Sequence, residues 1–582
     1  MTRKHTLTAA AVFLVAAAVA IAVGTNVTKS AGRKNALPDG EWQGTGQGRN
    51  GPISLAITVQ NGRITGGHVI SEDETDFAKP VAQAVIDQAV KRNSVTGLDA
   101  VSGATMTSKG TMEALVAAVA LARGELPATT GTVAQDSSCD IVVIGAGGAG
   151  LSAATEAASH GASVIVVEKM GIAGGNTNYA TGGLNASETS VQKKLGIEDT
   201  NEQYYADTMK GGYNLNDPAL VRKMVEESAA TVDWLMSLGA DLSDVGKMAG
   251  STNKRTHRPQ GGAAIGAHLV PVLVKATENA SAEIRYNSKV TDIIEENGKA
   301  AGVKVSSSNG DYVIKAKAVI IATGGFGANP DMIVTYQPSL KGFGTTNHRG
   351  ATGDAFAWIA KFDGALTQME QIQTHPTVVP GNGLMITEAV RGNGAIMVNR
   401  GGRRFNNEMA TRDVMSNAIL EQEGKTAYLV FDQGIRESLK AIEGYAKQGL
   451  LTEGASLAEL ASKLGMPSGA LEETVANYNA YQSSGTDPDF SRPAGDMPRG
   501  LVKAPYYAVE VGPAVHHTMG GIKINTNAEV LTKEGNAIPG LFAAGEVTGG
   551  IHGSNRLGGN AVADICVYGK IAADSALAYI GK

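Results

Sequence analysis

The chain has 582 residues, 43% of them hydrophobic and 18% charged, with a net charge of −6. That is enough apolar material for several packed cores, which excludes a disordered chain, and the lack of a basic excess argues against a nucleic-acid partner. Two cysteines, Cys139 and Cys566, exclude a disulfide scaffold, a four-cysteine iron–sulfur site and a CxxCH haem attachment. Glycine is the outlier. Its 74 residues are nearly twice the usual share of about 7%, without a collagen-like period, which points to many turns and close backbone approaches to a ligand.

Arg3, Lys4 and His5 precede an apolar run from Leu7 to Gly24 that ends in small residues around Ala20 and Ala22. This predicts a signal peptide over 1–24, or at 18 residues a retained membrane anchor; either places the rest of the chain outside the cytoplasm. A small, polar, Pro- and Gly-containing linker at 125–138 separates a unit at 38–124 from a much larger one.

In the small unit, Ile53, Leu55, Ile57 and Val59 alternate on one strand face, and Asn61-Gly62 is the preferred pair for a two-residue hairpin before a return strand, Arg63 to Ile70. Helical patterns follow from about Pro80 to Lys91 and from Lys109 to Ala122. On composition alone, Ser102-Gly103-Ala104-Thr105 is a polar turn capping the second helix. Residues 40–122, however, resemble the small FMN-binding domain of flavin-based reductases and of sodium-pumping quinone reductase subunits. The features carrying the resemblance are the glycines around Gly44–Gly48, the hairpin, Glu74-Thr75, and the run from Asp99 through Ser102-Gly103-Ala104-Thr105 to Thr107-Ser108. It implies FMN bound covalently by a phosphoester to Thr105, attached by an extracytoplasmic flavin transferase. A hydroxyl at a helix start suits this chemistry, because backbone amides and the helix dipole stabilise a phosphate there.

The large unit opens with a buried strand from Asp140, the glycines Gly145, Gly147 and Gly150, a helix from Leu151 to Gly161, and a strand ending on Glu168, 18 residues after Gly150. That order is the fingerprint of a dinucleotide-binding fold: glycines let backbone approach a pyrophosphate, and Glu168 would take a ribose hydroxyl. Further sets at Gly174–Thr177, Thr181–Gly183, Gly324–Gly325, Gly545-Glu546 and Gly559–Ala561 suit an extended cofactor, FAD rather than NAD.

Residues 138–582 resemble the flavoprotein subunit of the fumarate reductase/succinate dehydrogenase superfamily, nearest to flavocytochrome c fumarate reductases and their haem-free relatives, which include urocanate reductases. The implied fold is α/β. A Rossmann-like FAD-binding domain (139–365 and 501–582) is interrupted by a mobile capping domain (366–500) and preceded by the small α+β FMN-binding domain. Within the cap, Ala427 to about Gln482 reads as helices joined by short loops. The resemblance implies non-covalent FAD, held early in the chain by Gly145, Gly147, Gly150, Glu168, Asn176 and Thr177. Later contacts would come from Gly182, Gly183, Asp354, Glu546, Ala561 and Val562.

The same resemblance supplies the chemistry. It makes His375, Met385, Thr387, His516 and Arg556 substrate ligands, with Gly183 and Gly559 beside them, and His516 is chosen over the adjacent His517. Arg412 would donate a proton and be recharged through Glu388 and Arg391. Elementary acid–base chemistry would not select a guanidinium for this role, and out of context Arg412-Asp413 reads as a surface ion pair and His375 as a core histidine. The histidines His375, His516, His517 and His552 are too scattered to predict a metal. The implied activity is reduction of fumarate to succinate in anaerobic respiration. Hydride would come from FAD and the proton from Arg412, with electrons entering through FMN from a quinol-oxidising or cytochrome donor. The main alternative is another 2-enoate: urocanate, acrylate, methacrylate or a cinnamate-like acid. Urocanate reductases carry Tyr and Asp around the positions of His375 and Glu388, where this chain keeps the fumarate-type pair. An electron-transfer flavoprotein is disfavoured by the intact Arg412, Glu388 and Arg391 set, and an amino-acid or succinate oxidase by the FMN unit.

Overall fold

Two glycines let the first sheet lie directly on a helix. The computed structural model describes residues 37–48, 52–72, 74, 79–101, 104–123, 135–307, 309–381 and 383–582. It opens with an antiparallel sheet of β1 (Gly40–Gln47), β2 (Pro52–Gln60) and β3 (Arg63–Ser71). β2 and β3 turn at Asn61 and Gly62, both at the positive φ (52° and 73°) that the tight hairpin needs. Leu55, Ile57 and Val59 pack with Val85, Ile86 and Leu115 of α1 (Lys79–Arg92) and α2 (Thr105–Ala122). β1 reaches α2 because Gly44 and Gly46 have no side chain; a Cβ would lie 2.0 Å from the Ala114 carbonyl and 2.1 Å from that of Gly110.

α2 begins four residues earlier than the apolar pattern suggests. Its first turns are polar, and Ser108 and Thr111 return their hydroxyls to the carbonyls of Ala104 and Thr107 instead of leaving the helix. The expected signal segment 1–24, Thr75, Ser102, Gly103, linker residues 125–134 and the Thr105 side chain lie outside the described residues.

The large unit is built on a parallel sheet. β4 (Ser137–Ile144) lies between β5 (Val164–Val167) and the C-terminal half of the strand Gly310–Ile321; Glu283–Arg285 and Ala537–Ala543 extend it on either side. Val164 to Val167 are all buried, as expected for a strand covered on both faces. The helix α3 (Gly148–Ser159) starts three residues before the expected Leu151, so the later glycines of the fingerprint form its first turn.

A second, six-stranded sheet centres on the 13-residue strand Tyr506–Thr518. Its first half pairs with Ala427–Asp432 and Thr452–Gly454, its second half with Ile372–Val378 and Gly344–Thr345. The all-helical reading from Ala427 onward is therefore corrected. Ala427–Asp432 is a strand with six buried residues, and such a short apolar run has no period that separates it from a buried helix turn. The sheet of the expected cap also continues beyond 500, because one long strand serves both it and the site.

Gly150 marks the closest approach in the dinucleotide fold: a Cβ there would lie 1.9 Å from the Gly145 carbonyl oxygen and 3.3 Å from the Ala322 Cβ. Gly150→Ala is expected to cost about 3 kcal/mol, read as a lowered Tm and reduced FAD content. An unchanged Tm would mean that α3 and the glycine turn part freely.

Candidate active site

The carboxyl ends of the parallel strands open into one cavity of about 1000 Å³, at the upper end of ligand-site sizes, which runs from the glycine turn to Arg412, His516 and Arg556. At one end Gly145 and Gly147 line it beside the N-terminus of α3, where backbone amides favour an anion. Gly147 is open to it, since a Cβ would meet only the Gly174 carbonyl at 3.9 Å. Gly150 is not on the wall; it is the packing glycine between helix and strand.

Glu168 lines the cavity and accepts the amides of Ala146 and Met170, both at 2.8 Å, while burial pushes its carboxyl above the usual range. Thr177 accepts the Gly148 amide at 3.0 Å. The Asn176 carboxamide donates to Glu546 at 2.9 Å and to Asn347 at 2.7 Å and accepts the His348 amide, fixing the middle of the wall. Asp354 is paired with Lys169 at 2.8 Å on the same wall, and Gly182, Gly183, Gly559, Ala561 and Val562 complete it. An anion cradle, a ribose-side carboxylate and a long open groove fit FAD, and these residues would hold it.

At the far end four charged groups converge. Arg412 Nε donates to Glu388 Oε1 at 2.5 Å, and Arg391 Nη2 lies 3.5 Å from the same oxygen. Burial pushes the Glu388 carboxyl up, but the guanidiniums of Arg412 and Arg391 outweigh it and hold it down to about 2. Arg391 is buried behind the wall, with its Nη1 on the Glu408 carbonyl at 2.6 Å. The three form a continuous chain from the cavity into the cap, the arrangement a proton relay requires.

The histidines carry no charge. Burial, then the field of the arginines, drives His375 and His516 well below the usual imidazole range. The Thr377 amide donates to His375 Nδ1 at 3.3 Å, which leaves the proton on Nε2. That Nε2 is buried without a hydrogen-bond partner among the described residues, 3.7 Å from Glu388. His516 packs edge-on against His375 with ring centroids 5.0 Å apart, and the Thr346 hydroxyl lies 2.7 Å from its Nδ1. His517 also lines the cavity, its ring against His552 at 5.3 Å. Thr387 and Met385 are on the wall, and the Thr387 amide is fixed by the Tyr445 hydroxyl at 3.1 Å.

Sequence reasoning passed over Gln373 as a site residue. Its Oε1 accepts from both Arg412 Nη1 and Arg556 Nη2 at 3.1 Å, and its Nε2 donates to Asn555 at 2.6 Å and to the Arg556 carbonyl at 2.8 Å. A buried glutamine two residues before His375 ties the two arginines together. The available signal was a polar residue within an otherwise buried strand.

In the small unit the helix α2 starts without a side-chain cap, so its first amides are free of that competition. The Thr107 hydroxyl, two residues into the helix, donates to buried Glu74 at 2.6 Å. This helix start fits a phosphate-linked flavin.

The chain matches the FAD binding domain family over residues 140–562 and belongs to it, and it matches the FMN-binding domain family over 48–120. It is a flavin-dependent oxidoreductase of the fumarate reductase type, with FAD and FMN as cofactors. It is 48% identical to a fumarate reductase (cytochrome) of Shewanella frigidimarina, across 81% of this chain and 82% of that one. It is 33% identical to a urocanate reductase of Eggerthella lenta across 92% of both. The open conformation of a flavocytochrome c3 fumarate reductase superposes with a TM-score of 0.67 at 43% identity, covering 77% of this chain and 79% of that one.

Two outcomes follow from this geometry. Gln373→Leu leaves two buried guanidiniums short of an acceptor, and kcat/KM is expected to fall about 5- to 100-fold with FAD retained; wild-type kcat/KM would show that the arginines are placed without it. Burial pulls Arg556 down to about 9, so its charge is present below that pH and lost above it. The kcat/KM for an anionic substrate is therefore expected to fall as pH rises through about 9, with no imidazole limb between 6 and 7; a pH profile checks both.

Proposed function

We propose that the protein reduces fumarate to succinate. The observation that carries this reading is a charge balance. Arg412, Arg391 and Arg556 surround the ionised carboxylate of Glu388, while burial and the arginines disfavour the charged forms of His375 and His516, which leaves an excess of fixed positive charge for a dianion. When bound, FAD would supply hydride chemistry at one alkene carbon, and FMN held at Thr105 would supply the electrons that reduce the FAD. Arg556, His375, His516 and Thr387 hold the two carboxylates, the imidazoles donating as neutral N–H groups. Arg412 delivers the proton to the other carbon and recovers one from the Glu388–Arg391 chain. Fixed positive charge in a dry site supplies most of the acceleration.

The reading extends to the rest of the chain. The basic and apolar stretch at 1–24 supports an extracytoplasmic position, where a flavin transferase would modify Thr105 and a quinol-oxidising or cytochrome donor would deliver electrons.

The deciding assay is anaerobic: holoprotein reduced with a viologen dye, and dye reoxidation followed on adding fumarate, urocanate, acrylate, methacrylate or a cinnamate separately. Fast reoxidation with fumarate alone is expected. Silence with fumarate and response to a monocarboxylate would overturn the substrate and leave the fold and flavins standing. Arg412→Ala should abolish turnover with FAD retained. Thr105→Ala should remove flavin fluorescence from the denatured protein band; fluorescence that persists would place the covalent flavin elsewhere.

A further inference from the structure

Arg412 is the first residue of the helix Arg412–Leu420, and both of its neighbours are held from the FAD-binding half of the chain. The Tyr213 hydroxyl donates to Asp413 Oδ2 at 2.7 Å, and the Thr411 hydroxyl bears on the same phenol. Asp413 Oδ1 is buried without a hydrogen-bond partner among the described residues. The carboxylate therefore depends on Tyr213, whose phenol it keeps protonated above the usual range.

The turn that presents Tyr213 is unusual. Tyr213 and Asn214 both have a φ of 57°, a left-handed conformation that a bulky residue such as tyrosine rarely adopts. It is held by the Tyr213 amide on the Lys210 carbonyl (3.1 Å) and the Asn214 amide on that of Met209 (2.8 Å). The turn is also tied to the segment that carries Arg556. The Ser554 amide donates to the Gly212 carbonyl at 3.2 Å, and the Asn555 carboxamide to that of Gly211 at 3.1 Å. Tyr213 is half exposed, so it is this backbone scaffold and not burial that fixes its phenol on Asp413.

We propose that Tyr213 is a positioning residue, its hydroxyl clasping Asp413 so that Arg412 is fixed in distance and direction relative to Arg556. The clasp acts from the turn at Tyr213, while Gln373 joins the same two arginines from the strand Ile372–Val378. This rests on the reading of Arg412 as proton donor.

The test uses full-length holoprotein and fumarate. Tyr213→Phe is expected to lower kcat about 5- to 20-fold, with KM within about twofold and FAD content and Tm unchanged. The solvent isotope effect on kcat should rise as proton delivery becomes limiting. Asp413→Ala should match it, Asp413→Asn, which keeps an acceptor, should retain most of kcat, and the double variant Tyr213→Phe/Asp413→Ala should be no slower than the slower single. Wild-type kcat and isotope effect in Tyr213→Phe, or multiplying effects in the double variant, would overturn the clasp. If Tyr213→Phe loses FAD, the Asp413 pair carries the decision: equal kcat in Asp413→Ala and Asp413→Asn overturns it. Turnover that persists in Arg412→Ala overturns the donor reading itself, whereas its loss beside a normal Tyr213→Phe sinks the clasp alone.

Discussion

Three largely buried guanidinium groups, those of Arg391, Arg412 and Arg556, must stay charged, and the architecture around them answers that demand. A buried cation without partners costs several kcal/mol, and an ion pair recovers this only when geometry and hydrogen bonds are complete. Glu388 meets two of the three, Gln373 bridges Arg412 to Arg556, and the carbonyls of Glu408 and Leu557 take further N–H groups. Behind them lies a second buried set. Arg404 and Arg492 enclose Glu408, Arg404 also reaches Asp487, and Arg492 donates to the Arg391 carbonyl at 2.9 Å. Removing one member of such a set strands another charge, so the cap core is stiff where it holds the relay.

A single strand connects this set to the cofactor cavity. The first half of Tyr506–Thr518 belongs to the sheet beneath the cap helices, and its second half brings His516 and His517 to the cavity. The register sets Gln373 opposite His517 and His375 opposite Ala514, so the strand Ile372–Val378 and this one present their polar residues together. The cavity-lining residues His375 and His516 are thereby indexed by backbone hydrogen bonds, which tolerate less drift than side-chain contacts between separate loops.

Much of this was legible in the sequence, for definite reasons. Asp140 to Glu168 announces its fold through glycines whose spacing is dictated by backbone contact, and Ile53 to Ile70 through strict alternation around Asn61-Gly62. Ala427–Asp432 was misread because its five consecutive apolar residues, Ala427 to Phe431, carry no period. Gln373 stood inside a recognised motif without a role, since a glutamine acquires function only from the atoms around it. Tyr213 was invisible for a different reason. Its partner is 200 residues away and its turn contains two non-glycine residues in a conformation that composition gives no cause to expect.

The neutrality of the histidines bears on selectivity. Had His375 and His516 been charged, the site would hold two further positive charges, and desolvation would weigh against binding any substrate. As neutral donors they add direction without charge, and the excess of positive charge at this end of the cavity is set by the arginines. A monocarboxylate would leave one of these charges unmatched and a buried N–H without an acceptor. Sites that lose a polar partner in this way discriminate by far larger factors than sites that lose a methylene. The second carboxylate of the substrate is thus the feature that this arrangement of Arg412, Arg556 and Glu388 selects most strongly.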